Sequence, residues 1–278
     1  MKRGHLSAAL FFTAAAVLAA DPPAGTPVSF LACPVARDTG PDTDLCFFAE
    51  YEGNRYALVN PPDWGVPQLK HRVLVEGRVK EGPGLCGAIP IEGRASVIAE
   101  IDENCNLILP FDDVIKGAAG GVFNSGTPQQ RAFAQDLARR VALDPNLSVE
   151  PAIADPAPAP LPTPPFEQRT LVIIYPFDSD RGSGPDMVKL KDLVTFIKVA
   201  NARSVRVVGF RATSRLSSGS DITEGQQIAE NRATKIASIL GGLGVNAKLV
   251  HVNWQARAID GNGDGDWRNR KVEITVEP

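Results

Sequence analysis

Seven prolines fall within fifteen positions of this chain, at 151, 156, 158, 160, 162, 164 and 165. A proline has a fixed φ and no amide hydrogen, so neither a helix nor the middle of a sheet can run through such a stretch. Alternating Ala and Pro favours polyproline II, an extended semi-rigid spacer. The chain is therefore expected to fold as two bodies, one on each side. A ligand for a proline-binding module is the alternative use, and spacers are the commoner meaning of such composition. The connector is read as residues 116–168. It opens on Gly117-Ala118-Ala119-Gly120-Gly121, and one short helix is predicted over Gln129–Val141, where Phe133, Leu137 and Val141 recur every fourth position.

The first body, residues 27–115, reads as β. Candidate strands are Val28–Cys33, Leu45–Tyr51, Arg55–Val59, Arg72–Val79, Ala95–Ile101 and Asn106–Leu109, separated by Gly, Pro, Asp and Asn clusters. Short strands without helical periodicity suggest a small barrel or sandwich, and an OB-like barrel is the specific expectation. All four cysteines, Cys33, Cys46, Cys86 and Cys105, lie in this body, at spacings of 13, 40 and 19. Structural zinc sites bring thiolates in as close pairs, so this spacing favours two disulfides over a metal. Three pairings are open, and Cys33–Cys46 with Cys86–Cys105 is favoured because each closes a short loop.

Disulfides imply an oxidising compartment, and the N-terminus agrees. Lys2 and Arg3 precede the apolar run Ala8–Leu18, small residues Ala19 and Ala20 follow, and then comes the turn-prone Asp21-Pro22-Pro23. That is the pattern of a signal peptide over residues 1–20. The run is too short for a membrane span, which needs about 20 apolar residues. No cysteine follows the cut to carry a lipid, and about 258 residues remain, enough for two modest domains. A net charge of −3 and a pI near 5.7 offer no basic face for nucleic acid.

The second body, residues 169–278, changes period. Thr170–Tyr175, Val205–Phe210, Ala247–Asn253 and Lys271–Val276 read as strands. Asp186–Ala200 reads as a helix with Met187, Leu190, Val194 and Ile197 on one face. Gln226–Leu240 reads as another, with Ile228, Ile236, Ile239 and Leu240 apolar and Gly241-Gly242 closing it. The order β-α-β-α-β-β predicts an α+β sandwich with both helices on one face of a mixed sheet. The whole chain is thus expected to be multidomain, all-β followed by α+β.

Three motifs in this second body match a known family in order. They are Val207-Val208-Gly209-Phe210 ending a strand, Ile228-Ala229-Glu230-Asn231-Arg232-Ala233 on the second helix, and Asn269-Arg270-Lys271-Val272-Glu273-Ile274 opening the last strand. Residues 169–278 resemble the OmpA-like C-terminal domain, a periplasmic peptidoglycan-binding module. The resemblance implies a non-enzymatic envelope protein, exported to the periplasm, with outer-membrane association left open. It implies that Arg232 holds a carboxylate of the peptidoglycan stem peptide, as a guanidinium can do bidentately. Asn269 and Arg270 would edge the same pocket. The family also uses an Asp, and its position here is Ala212. Asp221 or Glu224, from a longer Ser/Gly-rich loop, would then supply the charge. The alternative is a module that has lost peptidoglycan and binds protein instead. In either case the β body is expected to meet another envelope protein.

Asp260, Asn262, Asp264 and Asp266 alternate with glycines like the first half of a calcium loop, but the twelfth position, which needs a bidentate Glu, is Lys271. A polar turn is the competing reading, and no other cofactor is expected. The mature chain has only His71 and His251, in no zinc-type spacing, and it has no nucleophile elbow or phosphate loop. No catalytic residue is nominated.

Overall fold

The computed structural model describes residues 21–38, 46–58, 67–82, 84, 87–109, 161–182 and 184–278. The expected signal segment, the helix expected over Gln129–Val141, most of the connector and Cys86 lie outside them.

The N-terminal half contains β1 (Pro27–Ala32), β2 (Pro34–Arg37), β3 (Cys46–Tyr51), β4 (Asn54–Ala57), β5 (His71–Val79), β6 (Ile91–Ile101) and β7 (Ile108–Leu109). They build two sheets, ordered β1-β5-β6 and β4-β3-β2-β7. The chain changes sheet at Cys33: Ala32 pairs with Val73 in one, and Pro34 with Ala49 in the other. Between the sheets lies one core, with Val28, Phe30, Val73, Val75 and Ala95 from the first and Ala49 and Tyr56 from the second. Phe30 stacks on Tyr51 with ring centroids 4.7 Å apart.

The expected OB-like barrel does not form among the described residues. The two ladders meet only at an isolated bridge between Tyr56 and Ile89. Pro90 follows, and its missing amide hydrogen cannot extend that bridge into a closing ladder.

The expected cysteine pairing is also corrected. Cys33 bonds Cys105 across 72 residues, and Cys46 is itself disulfide-bonded. Register explains why Cys33 cannot take Cys46. The β2–β3 ladder sets Cys46 opposite Arg37, four positions along the strand from Cys33. At about 3.3 Å per residue that offset is roughly 13 Å, beyond the Cα separation a disulfide spans. Asp102 lies beside the Cys33–Cys105 pair, but oxidised sulfurs leave no thiolate there for a metal.

The C-terminal half contains β8 (Arg169–Ile174), α1 (Gly184–Val199), β9 (Ser204–Gly209), β10 (Thr213–Arg215), β11 (Asp221–Thr223), α2 (Ile228–Gly242), β12 (Val250–Trp254) and β13 (Lys271–Glu277). Four strands make a mixed sheet ordered β12-β9-β13-β8. β12 runs parallel to β9, and β13 runs antiparallel to β9 and β8. Alternate residues Val205, Val207, Val272, Ile274, Val276 and Ile173 turn to one face and bury against Leu190, Val194, Ile197, Ala233, Ile236 and Leu240 of the helices. The α+β sandwich expected from the sequence is the architecture found. β10 and β11 are an addition to it, an antiparallel hairpin between β9 and α2.

That hairpin brings the halves together. Leu216 and Ile222 pack with Phe177 against Leu31, Leu74 and Ile98, which lie on the outer face of the β1-β5-β6 sheet. The Ser217 amide donates to the Ser29 carbonyl at 2.6 Å, and the Ser29 amide donates to Ser217 Oγ at 3.0 Å. The Phe177 amide donates to Ser96 Oγ at 3.0 Å. A spacer that merely holds two separate bodies apart is therefore not the arrangement. The centre of the outer face, at Leu74, Glu76, Ser96 and Ile98, is buried because the second half covers it.

Candidate functional site

The site implied by the motifs centres on Arg232, so its surroundings decide what the second half can bind. Arg232 lies on α2 with Ile228, Ile236 and Leu240, each four residues from the next. That spacing puts all four on the helix face that meets the sheet. Gly209 allows the helix to come this close: a Cβ there would sit 2.0 Å from the Ala229 carbonyl oxygen.

Arg232 has no exposed surface. Its guanidinium carries five N–H donors, and five contacts use them. Nε donates to the Ser179 carbonyl at 2.8 Å, Nη1 to the Phe210 carbonyl at 2.9 Å, and Nη2 to the Pro176 carbonyl at 3.1 Å. Nη1 and Nη2 also donate to the two carboxylate oxygens of Glu224, at 3.1 and 2.5 Å. The cation lies 4.9 Å from the centre of the Tyr175 ring. Burial pushes the Tyr175 phenol well above its ordinary value, against a smaller opposing pull from Arg232.

Glu224 is equally enclosed. Besides Arg232, it accepts the Asp178 amide at 2.8 Å and the Ala212 amide at 2.9 Å. One carboxylate thus ties together the turn after β8, the chain after β9 and the helix α2. Ala212 is the position at which the resembled family has its acid, and the negative charge arrives instead from Glu224, at the end of the inserted hairpin. Asp221 does not take this part. It is exposed and paired with Arg215 across the hairpin.

Arg270 meets the other half of the molecule. It too has no exposed surface, and its Nη1 and Nη2 donate to both carboxylate oxygens of Glu76 on β5, at 3.1 and 2.5 Å. Ser214 Oγ, on β10, accepts from Arg270 at 2.9 Å and donates to Glu76 at 2.7 Å. Asn269 is half-buried at the end of the 3-10 turn Asp266–Asn269, outside the strand. The structure therefore does not gather Arg232, Arg270, Asn269 and Asp221 around one opening. Each arginine has a carboxylate of its own.

The Asp260–Asp266 segment is a turn in which each oxygen-bearing side chain has a partner. The Asp266 carboxylate accepts the Arg215, Asn262 and Gly263 amides, each at 2.9 Å. Asn262 accepts the Asp264 amide at 2.9 Å, Asp264 pairs with Arg78, and Asp260 with Arg257.

Glu76, Ser214 and the hairpin are the important residues that sequence reasoning missed. Glu76 had a signal: it is a lone acid in the strand Val73-Leu74-Val75-Glu76, inside a run buried on both faces.

A scan against protein-family models finds no match, and neither does a search of curated proteins. Solved structures do match. The OmpA-like domain of FopA1 from Francisella tularensis is 22% identical at a TM-score of 0.31, over 40% of this chain and 73% of that one. The periplasmic domain of Helicobacter pylori MotB is 20% identical at a TM-score of 0.32, over 39% and 74%. The peptidoglycan-associated lipoprotein from Burkholderia pseudomallei is 16% identical at a TM-score of 0.29, over 38% and 89%.

Proposed function

We propose that this chain is an exported, non-enzymatic binding protein of the cell envelope whose OmpA-like half acts as a protein-docking platform. The signal-like N-terminus, the cysteines used as disulfides and the three ordered motifs of the second half support the setting. Among the described residues, no helix is long and apolar enough to cross a membrane.

One observation carries the choice between docking protein and holding the wall. All five donors of Arg232 are committed to acceptors within the chain, and its charge is neutralised by Glu224. A stem-peptide carboxylate could reach this cation only by displacing a buried bidentate partner. Leaving Glu224 buried and unpaired would cost several kcal/mol, more than a weak surface ligand returns. The second half keeps the fold implied by its motifs and has turned its charged centre to structural use.

Sedimentation with purified sacculi tests this reading. The mature protein is expected to stay in the supernatant, as it does without sacculi. If it pellets, and free diaminopimelate releases it, the docking reading is wrong and wall anchoring is restored.

A further inference from the structure

We infer that the β half is the standing ligand of the OmpA-like half, recognised through a binding site that needs no covalent connection. The inference rests on the docking reading above and deepens it by naming the partner: a β-sheet face with an apolar patch of Leu31, Leu74 and Ile98 beside one buried carboxylate, with Ser29, Ser96, Arg78 and Arg94 around them.

The surface has the anatomy of a specific interface. At its centre Arg270 grips Glu76 bidentately, Ser214 bridges the pair, and all three are buried. Around them sit Leu74 and Ile98 from one half and Phe177 from the other. A fully desolvated charge pair within an apolar surround is the pattern in which truncating one partner costs most. At one side the hairpin tip bonds the backbone of β1 at Ser29, closing an edge that would otherwise stay open. At another, Arg78 pairs with Asp264, and Arg94 lies over the Trp267 ring at 4.6 Å. The contacts thus cover three strands of one sheet with residues from three separate segments of the other half: Phe177, the hairpin and the stretch 264–270. The hairpin, absent from the β-α-β-α-β-β plan, supplies Ser214, Ser217, Leu216 and Ile222, so it is the element that makes the second half a receptor.

The test keeps the full chain. A protease site is introduced between Asp155 and Pro160, and the oxidised mature protein is cut under native conditions. The fragments share no disulfide, because every cysteine lies before the cut. They are expected to co-elute in gel filtration at micromolar concentration. Glu76→Ala should weaken the association by roughly 30-fold or more, and the fragments should then elute apart. Arg270→Met removes the cation from the opposite side and should give the same separation. The inference is overturned if the unsubstituted fragments separate on cutting, or if both variants hold together as tightly as the parent. Either result would leave the sedimentation assay unaffected, so the two readings fail independently.

Discussion

At the residue scale, Arg232 shows how the same side chain can mean opposite things. Read within its motif, it is a fork for a ligand. Read by position, it is the second member of Ile228, Arg232, Ile236 and Leu240, a stripe whose other members are core residues. The stripe is visible in the sequence, but the resemblance makes Arg232 a ligand-holding residue rather than a core one. The structure resolves the conflict with Glu224, which no local pattern links to helix α2. Arg232→Ala strands that carboxylate in a dry site and is expected to cost about 3–5 kcal/mol, read as a lower urea midpoint. Replacing both members with apolar residues, Arg232→Met with Glu224→Leu, should recover most of the loss, because the penalty comes from the unpaired charge. Tyr175 adds a pH dependence. Its folded-state pKa is raised by burial, so the folded state holds the phenolic proton more tightly than the unfolded state does. That contribution is complete below the unfolded value of about 10 and is lost as pH rises beyond it. Unfolding midpoints should fall above about pH 10, and more steeply than in Tyr175→Phe.

At the element scale, legibility followed periodicity. The helices and long strands of the second half could be read because their apolar residues recur at 3.6 or 2 and their ends carry Gly and Asn. The hairpin could not. Its strands, Thr-Ser-Arg and Asp-Ile-Thr, are three residues each, and their pairing rests on cross-strand polar contacts. β2 was hidden by Pro34, which reads as a break and here begins a strand after the chain changes sheets. The disulfide pattern was hidden because loop length says nothing about register. Two outcomes follow at this scale. The Arg215–Asp221 pair is half-exposed, so Arg215→Ala should leave the denaturation midpoint nearly unchanged despite its two hydrogen bonds, because solvent screens such a pair. Removing the bridge with Cys33→Ser and Cys105→Ser should cost about 2–5 kcal/mol, because it ties β1 to the chain after β6 across 72 residues. Chemical denaturation of the two variants distinguishes a surface contact from a framework bond.

At the scale of the whole molecule, the composition suggested two independent domains, yet the strand at the centre of the first carries a different message. His71–Val79 is buried on both faces from Val73 to Gly77, Leu74 and Glu76 on one and Val73, Val75 and Gly77 on the other, and a sheet in water leaves one face solvated. A strand buried on both sides needs a second layer, and among the described residues it comes from Phe177, Leu216 and Ile222, beyond the proline stretch. Covering that face couples the halves energetically, because exposing it in either half uncovers Leu74, Ile98 and Phe177 and leaves Glu76 or Arg270 without its counter-ion. Calorimetry of the oxidised mature protein should therefore show one endotherm, with calorimetric and van't Hoff enthalpies in agreement. Glu76→Ala removes the anion but spares both cores. It should lower the stability of the coupled unit by about 3–5 kcal/mol and split the endotherm in two. Two resolved transitions in the unsubstituted protein would mean that the halves fold apart and that the buried pair contributes nothing to their union. A single transition that persists in the variant would assign the coupling to the apolar contacts and the hairpin alone.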